Sequence, residues 1–460
     1  MKERSTGNTV LIVDQGGRGS ALVDKYAQSD HVGKIIAVPG NDLMRINTDK
    51  PVKIYSKLKT TSIKEIEEIC EKEKVDLVDI AQDRAVEAGL ANVLIKKGIS
   101  VVGPTKEAGR IEWDKAFARQ LGFNLSLPQP GFNIYAKDEL NSALNLMDLE
   151  PDKPRFIKAA FLADGKGARA AKNSQEAKEK ISEIANTEEG RVFLIEDWLK
   201  GDDRNPGEEF SLFVATDGKN YRVLGNAQDY KRENNFDEGE NTGSMGCNSP
   251  TSLMTPELLK NSKKKIIEKV LSKLNEKGIP YKGILYLGGM AINKANRIYA
   301  TYPEDYDSKP YVIEFNSRWG DPEAQAILPG LKVDLFELGK AISDGDISKI
   351  NIKHDEKTRV VLTGAAKGYP REAIKGEQIF GLDKIRKLDG IKMYPAAIKE
   401  FHGKHYAWGG RLFYIVGEGK DIIEARSKAI EAMSTIYIND NNLKYRTDIG
   451  WHDVQRATKK

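Results

Sequence analysis

The sequence predicts an α/β protein whose N-terminal part is a parallel sheet with helices on both faces. Apolar runs lie at 9–14, 34–40, 76–81 and 99–103, and helical patterns lie at 20–29, 61–74 and 87–98. This alternation of strands and helices is typical of a parallel sheet that is covered on both faces. The length supports the same class, because 460 residues, 40% of them hydrophobic, allow about three domains.

Three further units follow along the chain. The first has strands at 155–161 and 192–199, a glycine-rich loop at 165–167 and a helix at 175–185. The second has strands at 210–216, 284–293 and 311–316, and the third has strands at 359–368 and 411–419 and a helix at 422–433. We therefore expect four units, at residues 1–125, 126–200, 201–340 and 341–460.

Composition narrows the class of protein. Lys plus Arg total 72 against 68 Asp plus Glu, a net charge of +4 that is spread along the chain, so we expect no nucleic-acid partner. Two cysteines cannot form a disulfide framework, and the five histidines show no metal-ligand spacing. The polar start is unlike a signal peptide, and no apolar run approaches the ~20 residues that span a bilayer. We expect a cytoplasmic protein that does not bind membranes.

A glycine-rich turn, VDQGGRGSAL at 13–22, joins the first strand to the first helix. A dinucleotide site requires G-x-G-x-x-G and an acid at the end of the second strand. Gly16, Gly17 and Gly19 do not have that spacing, and the second strand ends at 38–41 without a carboxylate. The turn is therefore either a phosphate site, at the helix N-terminus with Arg18, or simply a tight turn.

The segment FIKAAFLADGKGARAAKN at 156–173 holds a second glycine-rich loop. Gly165 and Gly167 allow backbone amides to close over phosphates, and Lys158 and Lys166 supply cations for a triphosphate. The spacing is not that of a P-loop. A β-hairpin with an exposed glycine tip is the structural alternative.

Polar residues end two later strands. Glu196 and Asp197 close an apolar strand, which suits a hinge that recognises an adenine edge through its backbone. Strand alternation places Glu314 and Asn316 on one face, with Arg318 two residues further on. A carboxylate and an amide oxygen suit Mg²⁺ together with substrate phosphates. The alternative is a solvated sheet face.

These motifs and their order resemble the ATP-grasp ligases, and more closely the phosphoribosylamine–glycine ligase family of purine synthesis. The resemblance covers nearly the whole chain. The motifs that carry it are VPGN (38–41), GPTKEAGRIEWDKAF (103–117), GKGA, LIEDWL, AQDYKR (227–232), NTGSMG (241–246), GILYLGGM (283–290), EFNSRWGDPEAQ (314–325) and YRTDIGW (445–451). It implies an N-terminal pre-ATP-grasp domain, an ATP-grasp lid and core, and a small C-terminal α/β domain.

The resemblance also implies a reaction. ATP activates the glycine carboxylate as an acyl phosphate, which the amine of phosphoribosylamine then attacks. The ATP site would contain Lys115, Lys158, the lid loop Gly165–Lys166–Gly167, Glu196 and Leu199 at the adenine, and Glu209 at the ribose. Glu314 and Asn316 would bind Mg²⁺, with Mn²⁺ as an alternative. Arg318, Asp321 and Lys158 would be catalytic.

The amine substrate, a ribosyl amine with a 5′-phosphate, would bind against the N-terminal domain. Its predicted contacts are Gly17, Arg18, Ser20, Asn41, Asp83, Asp229, Lys231, Asn241 and Arg318. No partner other than small molecules is implied, and we expect a monomer or a weak homodimer.

Departures from the family pattern concentrate on this amine substrate. Gly19-Ser20 stands where the family has Glu-His, Ala81-Gln82-Asp83 where it has Gly-Pro-Glu, and Tyr230 where it has His. The segment 201–209 is longer than usual, whereas the ATP and metal residues are intact. Three hypotheses follow: a retuned pocket with the same reaction, a ligase for a different phosphorylated amine, or a nucleotide-binding regulator without catalysis. The intact Lys158, Glu314, Asn316 and Arg318 argue against the third.

Overall fold

The N-terminal unit is the parallel sheet that the alternating pattern predicts. A computed structural model describes residues 7–163, 165, 167–199, 207–293, 308–385 and 388–458. Five parallel strands lie in the order β3-β2-β1-β4-β5. They are β1 (Asn8–Asp14), β2 (Val32–Pro39), β3 (Val52–Ile54), β4 (Leu77–Ile80) and β5 (Ser100–Val102). The three-residue β3 was not predicted, because so short a run carries no periodicity.

Four helices flank this sheet: α1 (Gly17–Ala27), α2 (Ile63–Glu73), α3 (Asp83–Glu87) and α4 (Leu90–Lys96). Two more, α5 (Lys106–Trp113) and α6 (Lys115–Asn124), pack against the units that follow in the chain. Helix α1 begins three residues before the predicted pattern, so Gly17 and Gly19 lie in its first turn. The helix predicted at 87–98 is interrupted at Gly89, whose φ of +83° is left-handed and ends a helical run. Asp83 and Glu112 therefore stand on helices beyond the carboxyl ends of β4 and β5.

A small antiparallel sheet, in the order β6-β9-β7-β8, forms the lid unit. Its strands are β6 (Phe132–Ala136), β7 (Arg155–Ala159), β8 (Ala168–Ala171) and β9 (Val192–Asp197). Helices α7 (Leu140–Leu149) and α8 (Ser174–Ala185) pack on one face through Ala143, Met147, Ile181 and Ile184. The glycine-rich loop joins β7 to β8, as the hairpin alternative also required.

The central sheet runs through the core and into the C-terminal unit without a break. Its main path is β16-β15-β10-β11-β14-β17-β22-β19, and β24 pairs with β17. The core strands are β10 (Glu208–Asp217), β11 (Tyr221–Asp229), β12 (Arg232–Asn234), β13 (Glu238–Asn241), β14 (Gly246–Ser249), β15 (Lys282–Asn293) and β16 (Ser308–Asn316). The core helices are α9 (Pro256–Ser262), α10 (Glu268–Glu276), α11 (Glu323–Ile327) and α12 (Leu335–Asp344).

The C-terminal unit continues the sheet and adds a smaller one, in the order β20-β21-β18-β23. Its strands are β17 (Thr358–Ala366), β18 (Gln378–Phe380), β19 (Ile391–Pro395), β20 (Ile398–Phe401), β21 (Lys404–Ala407), β22 (Arg411–Gly419), β23 (Tyr437–Ile438) and β24 (Leu443–Lys444). Its helices are α13 (Leu382–Ile385), α14 (Ile422–Ser434) and α15 (Trp451–Thr458). Across the described ranges, no helix has the length and apolar character that crossing a membrane requires.

Candidate active site

A cavity of about 550 Å³ lies between the lid sheet and the central sheet. Residues of the N-terminal unit, the lid and the core line it together. Such a volume is typical of a site for a nucleotide-sized ligand. The predicted residues that the structure brings to its wall are Asp83, Lys115, Lys158, Gly165, Gly167, Glu196, Leu199, Glu209, Asp229, Lys231, Asn241, Glu314, Asn316, Arg318 and Asp321. Lys166 lies outside the described residues.

Lys158 and Glu196 form a buried ion pair at the junction of β7 and β9. Lys158 Nζ lies 2.7 Å from Glu196 Oε2, and Arg119 binds the same carboxylate through Nε and Nη2 at 2.7 and 3.0 Å. Burial works against ionisation of Glu196, but the two cations outweigh it and lower its pKa to about 2. The Glu196 side chain is thus occupied, so an adenine at this hinge would meet backbone groups rather than this carboxylate.

Glu314 lies among three lysine side chains. Burial works to raise its pKa, but the charges of Lys231, Lys158 and Lys115 outweigh it and lower it. Burial lowers the pKa of Lys115. Lys231 Nζ lies 2.9 Å from Glu209 Oε2. This concentration of positive charge suits the oxygens of a triphosphate.

The polar end of β16 has the arrangement that alternation predicts. Asn316 Nδ2 lies 3.4 Å from Glu314 Oε1, and Arg318 Nη2 donates to Asn316 Oδ1 at 3.1 Å. Within the described ranges, no group of three or more His, Cys, Asp or Glu side chains could hold a metal ion. A carboxylate and an amide oxygen beside lysines do fit Mg²⁺ that takes its remaining ligands from phosphates and water.

Arg318 and Asp321 are positioned by residues that the sequence did not single out. Arg318 Nη2 lies 3.1 Å from Glu112 Oε1, while Glu112 Oε2 accepts the backbone N–H of Ser317 at 2.7 Å. Asp321 Oδ2 accepts from Arg411 Nη2 at 2.8 Å and from the Tyr414 hydroxyl at 3.1 Å. Glu112 and Arg411 thus join the N-terminal and C-terminal units to the strand end that carries Arg318.

A pair of carboxylates faces the same cavity from β11 and α11. Burial, together with the neighbouring Glu323 carboxylate, raises the pKa of Asp229 to about 8. Asp229 Oδ1 is buried and accepts no hydrogen bond from the described residues. Glu323 Oε1 accepts from Ser211 Oγ at 3.0 Å. A buried oxygen without a donor is a place where a ligand N–H can bind.

The opening turn lies away from the cavity wall. Gly17, Arg18, Ser20 and Asn41 are buried, and none of them lines the cavity. Arg18 Nε donates to Asp14 Oδ2 at 2.6 Å and Nη1 donates to Trp319 O at 2.8 Å. Ser20 Oγ donates to Pro395 O at 2.6 Å. These polar side chains therefore already bind protein acceptors at the turn where a phosphate was expected.

Most of the residues that could not be predicted from the sequence bind other side chains of the site and hold them in place. Arg119 and Glu112 lie within or beside the quoted segment GPTKEAGRIEWDKAF, and Glu323 lies in EFNSRWGDPEAQ, but no role was derived for them. Their position in those motifs was the available signal. Arg411 lies in an apolar strand of the C-terminal unit, and no local pattern marked it.

An antiparallel lid sheet facing a central sheet across a nucleotide-sized cavity, with lysines opposite an acid–amide pair, defines the ATP-grasp class of ligases. Matches to known sequences narrow this class. Residues 8–112 match the N domain of phosphoribosylglycinamide synthetase, residues 113–324 its ATP-grasp (A) domain and residues 359–452 its C domain. The chain belongs to the phosphoribosylglycinamide synthetase family.

Relatives extend along the whole chain. Phosphoribosylamine–glycine ligase of Caldanaerobacter subterraneus subsp. tengcongensis is 33% identical over 96% of this chain and 99% of its own. The Haemophilus influenzae enzyme of the same name is 31% identical over 98% and 100%. The crystal structure of the Thermotoga maritima phosphoribosylamine–glycine ligase superposes with a TM-score of 0.76 at 26% identity, covering 96% of this chain and 100% of that one.

The biotin carboxylase domain of Hydrogenobacter thermophilus 2-oxoglutarate carboxylase, solved with MgADP, shares the fold alone. Its TM-score is 0.69 at 15% identity, over 98% of both chains.

Proposed function

We propose that this chain joins glycine to 5-phosphoribosylamine with ATP, through a glycyl phosphate, and gives glycinamide ribonucleotide, ADP and phosphate. The observation that carries the proposal is the cavity in which Lys115, Lys158 and Lys231 surround Glu314. Relatives of nearly the same length that are named phosphoribosylamine–glycine ligase support the choice of substrates.

ATP would bind with its phosphates against Lys115 and Lys158. Lys158 is already held by Glu196, so a phosphate oxygen meets a cation whose position is fixed. Gly165 and Gly167 would close over the phosphates, and Leu199 and the backbone at 196–199 would contact the adenine. Glu209 would bind the ribose, sharing its carboxylate with Lys231.

Glu314 and Asn316 would hold Mg²⁺, and Mn²⁺ is the proposed substitute. When bound, the ion neutralises phosphate charge during transfer. The chain's own contribution is to keep Glu314 ionised through the surrounding lysines, since a protonated carboxyl group would be a poor ligand.

The transfer requires two displacements. A glycine carboxylate oxygen attacks the γ-phosphorus and ADP leaves. The amine nitrogen then attacks the carbonyl carbon, the C–O bond to phosphate breaks, and the nitrogen gives up a proton to water. Arg318, oriented by Glu112, would stabilise the acyl phosphate, and Asp321 would face the same group.

The amine substrate would contact Asp83, Asp229, Lys231 and Asn241, which line the cavity. A second candidate function is a ligase that uses a different amine. The observation that favours it is the opening turn, whose donors bind protein groups instead of facing the cavity.

Incubating the purified protein with ATP, Mg²⁺, glycine and freshly made phosphoribosylamine tests the proposal. Glycinamide ribonucleotide, detected by mass, is the expected product. ADP release with glycine and only another amine would support the second candidate. No ADP release with any amine of a broad panel would overturn ligase activity and favour a nucleotide-binding regulator.

We also propose structural units at 1–125, 126–200, 201–340 and 341–460, a monomer or weak homodimer, and a cytoplasmic location. Light scattering during size-exclusion chromatography at several protein concentrations measures the oligomeric state. A dimer that resists dilution would contradict that part of the proposal.

A further inference from the structure

An aspartate of the chain occupies the anion-binding position at the start of α1. Asp14 is fully buried at the carboxyl end of β1. Its Oδ1 accepts the backbone N–H of Gly16, and its Oδ2 accepts from Arg18 Nε at 2.6 Å. These are the two kinds of donor, a helix N-terminal amide and a guanidinium, that a bound phosphate would use.

Gly19 makes room for this carboxylate. A Cβ atom at residue 19 would lie 2.8 Å from Asp14 Cβ and 3.0 Å from Met44 Cε. Real Cβ atoms essentially never approach other atoms below 3.0 Å, and Asp14 Cβ cannot move far because it is attached to a buried strand. The glycine that departs from the family pattern and the buried aspartate are thus a matched pair.

The remaining polar groups of the turn leave little for an external anion. Ser20 donates its only hydroxyl hydrogen to Pro395 O. A Cβ at Gly17 would lie 2.1 Å from Tyr414 Cε2, so a tyrosine ring covers the first turn of α1. A Cβ at Gly16 would lie 3.8 Å from Asp321 Oδ2, so a second carboxylate stands near the turn.

We propose that Asp14 is the resident anion of this turn and excludes external phosphate, so that the phosphate of an amine substrate is not bound at this turn. Asp14 and Arg18 neutralise each other, whereas a bound phosphate would need an unpaired Arg18. A phosphate placed beside Asp14 and Asp321 would instead meet two like charges. One part of this inference rests on the proposed function, namely that the excluded phosphate is the one carried by the ribosyl amine.

Anion rescue tests the proposal. In Asp14→Gly the missing carboxylate leaves Arg18 uncompensated, and formate or inorganic phosphate should take its place. With ADP and Mg²⁺ saturating the ATP site, we expect 50 mM formate or phosphate to raise the Tm of Asp14→Gly by about 2 °C more than chloride of equal ionic strength. The double variant Asp14→Gly/Arg18→Gln should show no such difference.

A second comparison does not depend on Asp14→Gly folding. Asp14→Asn/Arg18→Gln keeps the shape of the pair and removes its charges. We expect the wild type and this variant to respond equally to phosphate. A larger phosphate-dependent rise in Tm for the wild type would overturn the proposal, because an external anion would then bind Arg18 with Asp14 present.

Failure of the proposed function gives a different result. These binding measurements contain no amine substrate, so they stand whether or not glycine and phosphoribosylamine are ligated. If phosphate raises the Tm of both proteins equally but no product forms, the ligase assignment alone is overturned. If product forms but phosphate raises the Tm of the wild type more, the resident anion alone is overturned.

Discussion

Charged side chains of the cavity are held in pairs before any ligand arrives. Lys158 is bound to Glu196 and Lys231 to Glu209. Alternation along β16 predicted that Glu314 and Asn316 share a face, because that pattern depends only on neighbouring residues. The partners could not be predicted in the same way. Glu112 meets Arg318 across more than two hundred residues of sequence, and no local period encodes such a contact.

Replacing Glu314 by Gln should lower the rate of ATP-dependent ligation at least about a hundredfold, because the site loses its carboxylate ligand and the lysines lose their counter-charge. Steady-state rates at saturating ATP and Mg²⁺ measure this. The exposed Glu257→Gln is the matched control and should keep the wild-type rate. An active Glu314→Gln enzyme would remove Glu314 from the metal site.

Asp79 should make stability depend on pH. It is buried in β4, where burial raises its pKa to about 7 although the Tyr26 hydroxyl donates to it at 2.8 Å. The folded state therefore holds this proton more tightly than the unfolded state, whose ordinary pKa is 3.8. The contribution of Asp79 to the free energy of unfolding is complete below about pH 4. It is lost as pH rises to 7, which lowers the free energy of unfolding by roughly a few kcal/mol.

Asp79→Asn removes the ionisation, so the Tm of this variant relative to the wild type should be higher at pH 8.5 than at pH 5. Thermal melts at both values measure it. Asp30→Asn, on an exposed turn, is the control. A difference in Tm between Asp79→Asn and the wild type that is the same at both pH values would show that Asp79 does not titrate in this range.

At the scale of elements, one side chain links the lid to the core through several hydrogen bonds. Arg119 in α6 binds Glu196 of β9 and donates to the carbonyls of Val312 and Ile313 in β16 at 3.1 and 2.7 Å. The sequence predicted β7 and β9 from the mainly apolar stretches RFIKAAF and VFLIEDWL. The short strand expected after the glycine-rich loop is β8. The sequence missed β6, since this five-residue strand shows no clear period.

Arg119→Met should raise the KM for ATP at least about fivefold and lower the Tm, since Glu196 would keep only Lys158 as its buried partner. Initial rates against ATP concentration and thermal melts measure the two effects. Arg110→Met, which removes a half-exposed arginine one helix earlier, should change neither. An unchanged KM for ATP would mean that this clamp does not position the nucleotide.

At the scale of the whole molecule, three units meet at the start of α1. Gly17 packs against Tyr414 of β22, and Arg411 of the same strand binds Asp321 of the core. The glycine-rich turn was visible in the sequence, but its role at this junction was not. The ring that covers it lies almost four hundred residues away in the chain.

Gly17→Ala should therefore destabilise the protein by about 1–3 kcal/mol, because the added methyl group would overlap the Tyr414 ring. Urea unfolding measures the change. Gly16→Ala is a closely matched control, since its methyl group would lie 3.4 Å from Asp14 Oδ1, an ordinary contact. Equal losses in the two variants would show that the Tyr414 contact is not the cause.

The central sheet also limits how this family can exchange parts during evolution. Gly246–Ser249 of β14 pairs with Arg359–Leu362 of β17, so the C-terminal unit shares backbone hydrogen bonds with the core. A C-terminal unit taken from a relative would have to bring an edge of the same length, twist and register. We expect β14 and the C-terminal unit to be inherited together. The lid strands form a separate small sheet, so the lid is the part that chimeric enzymes can exchange.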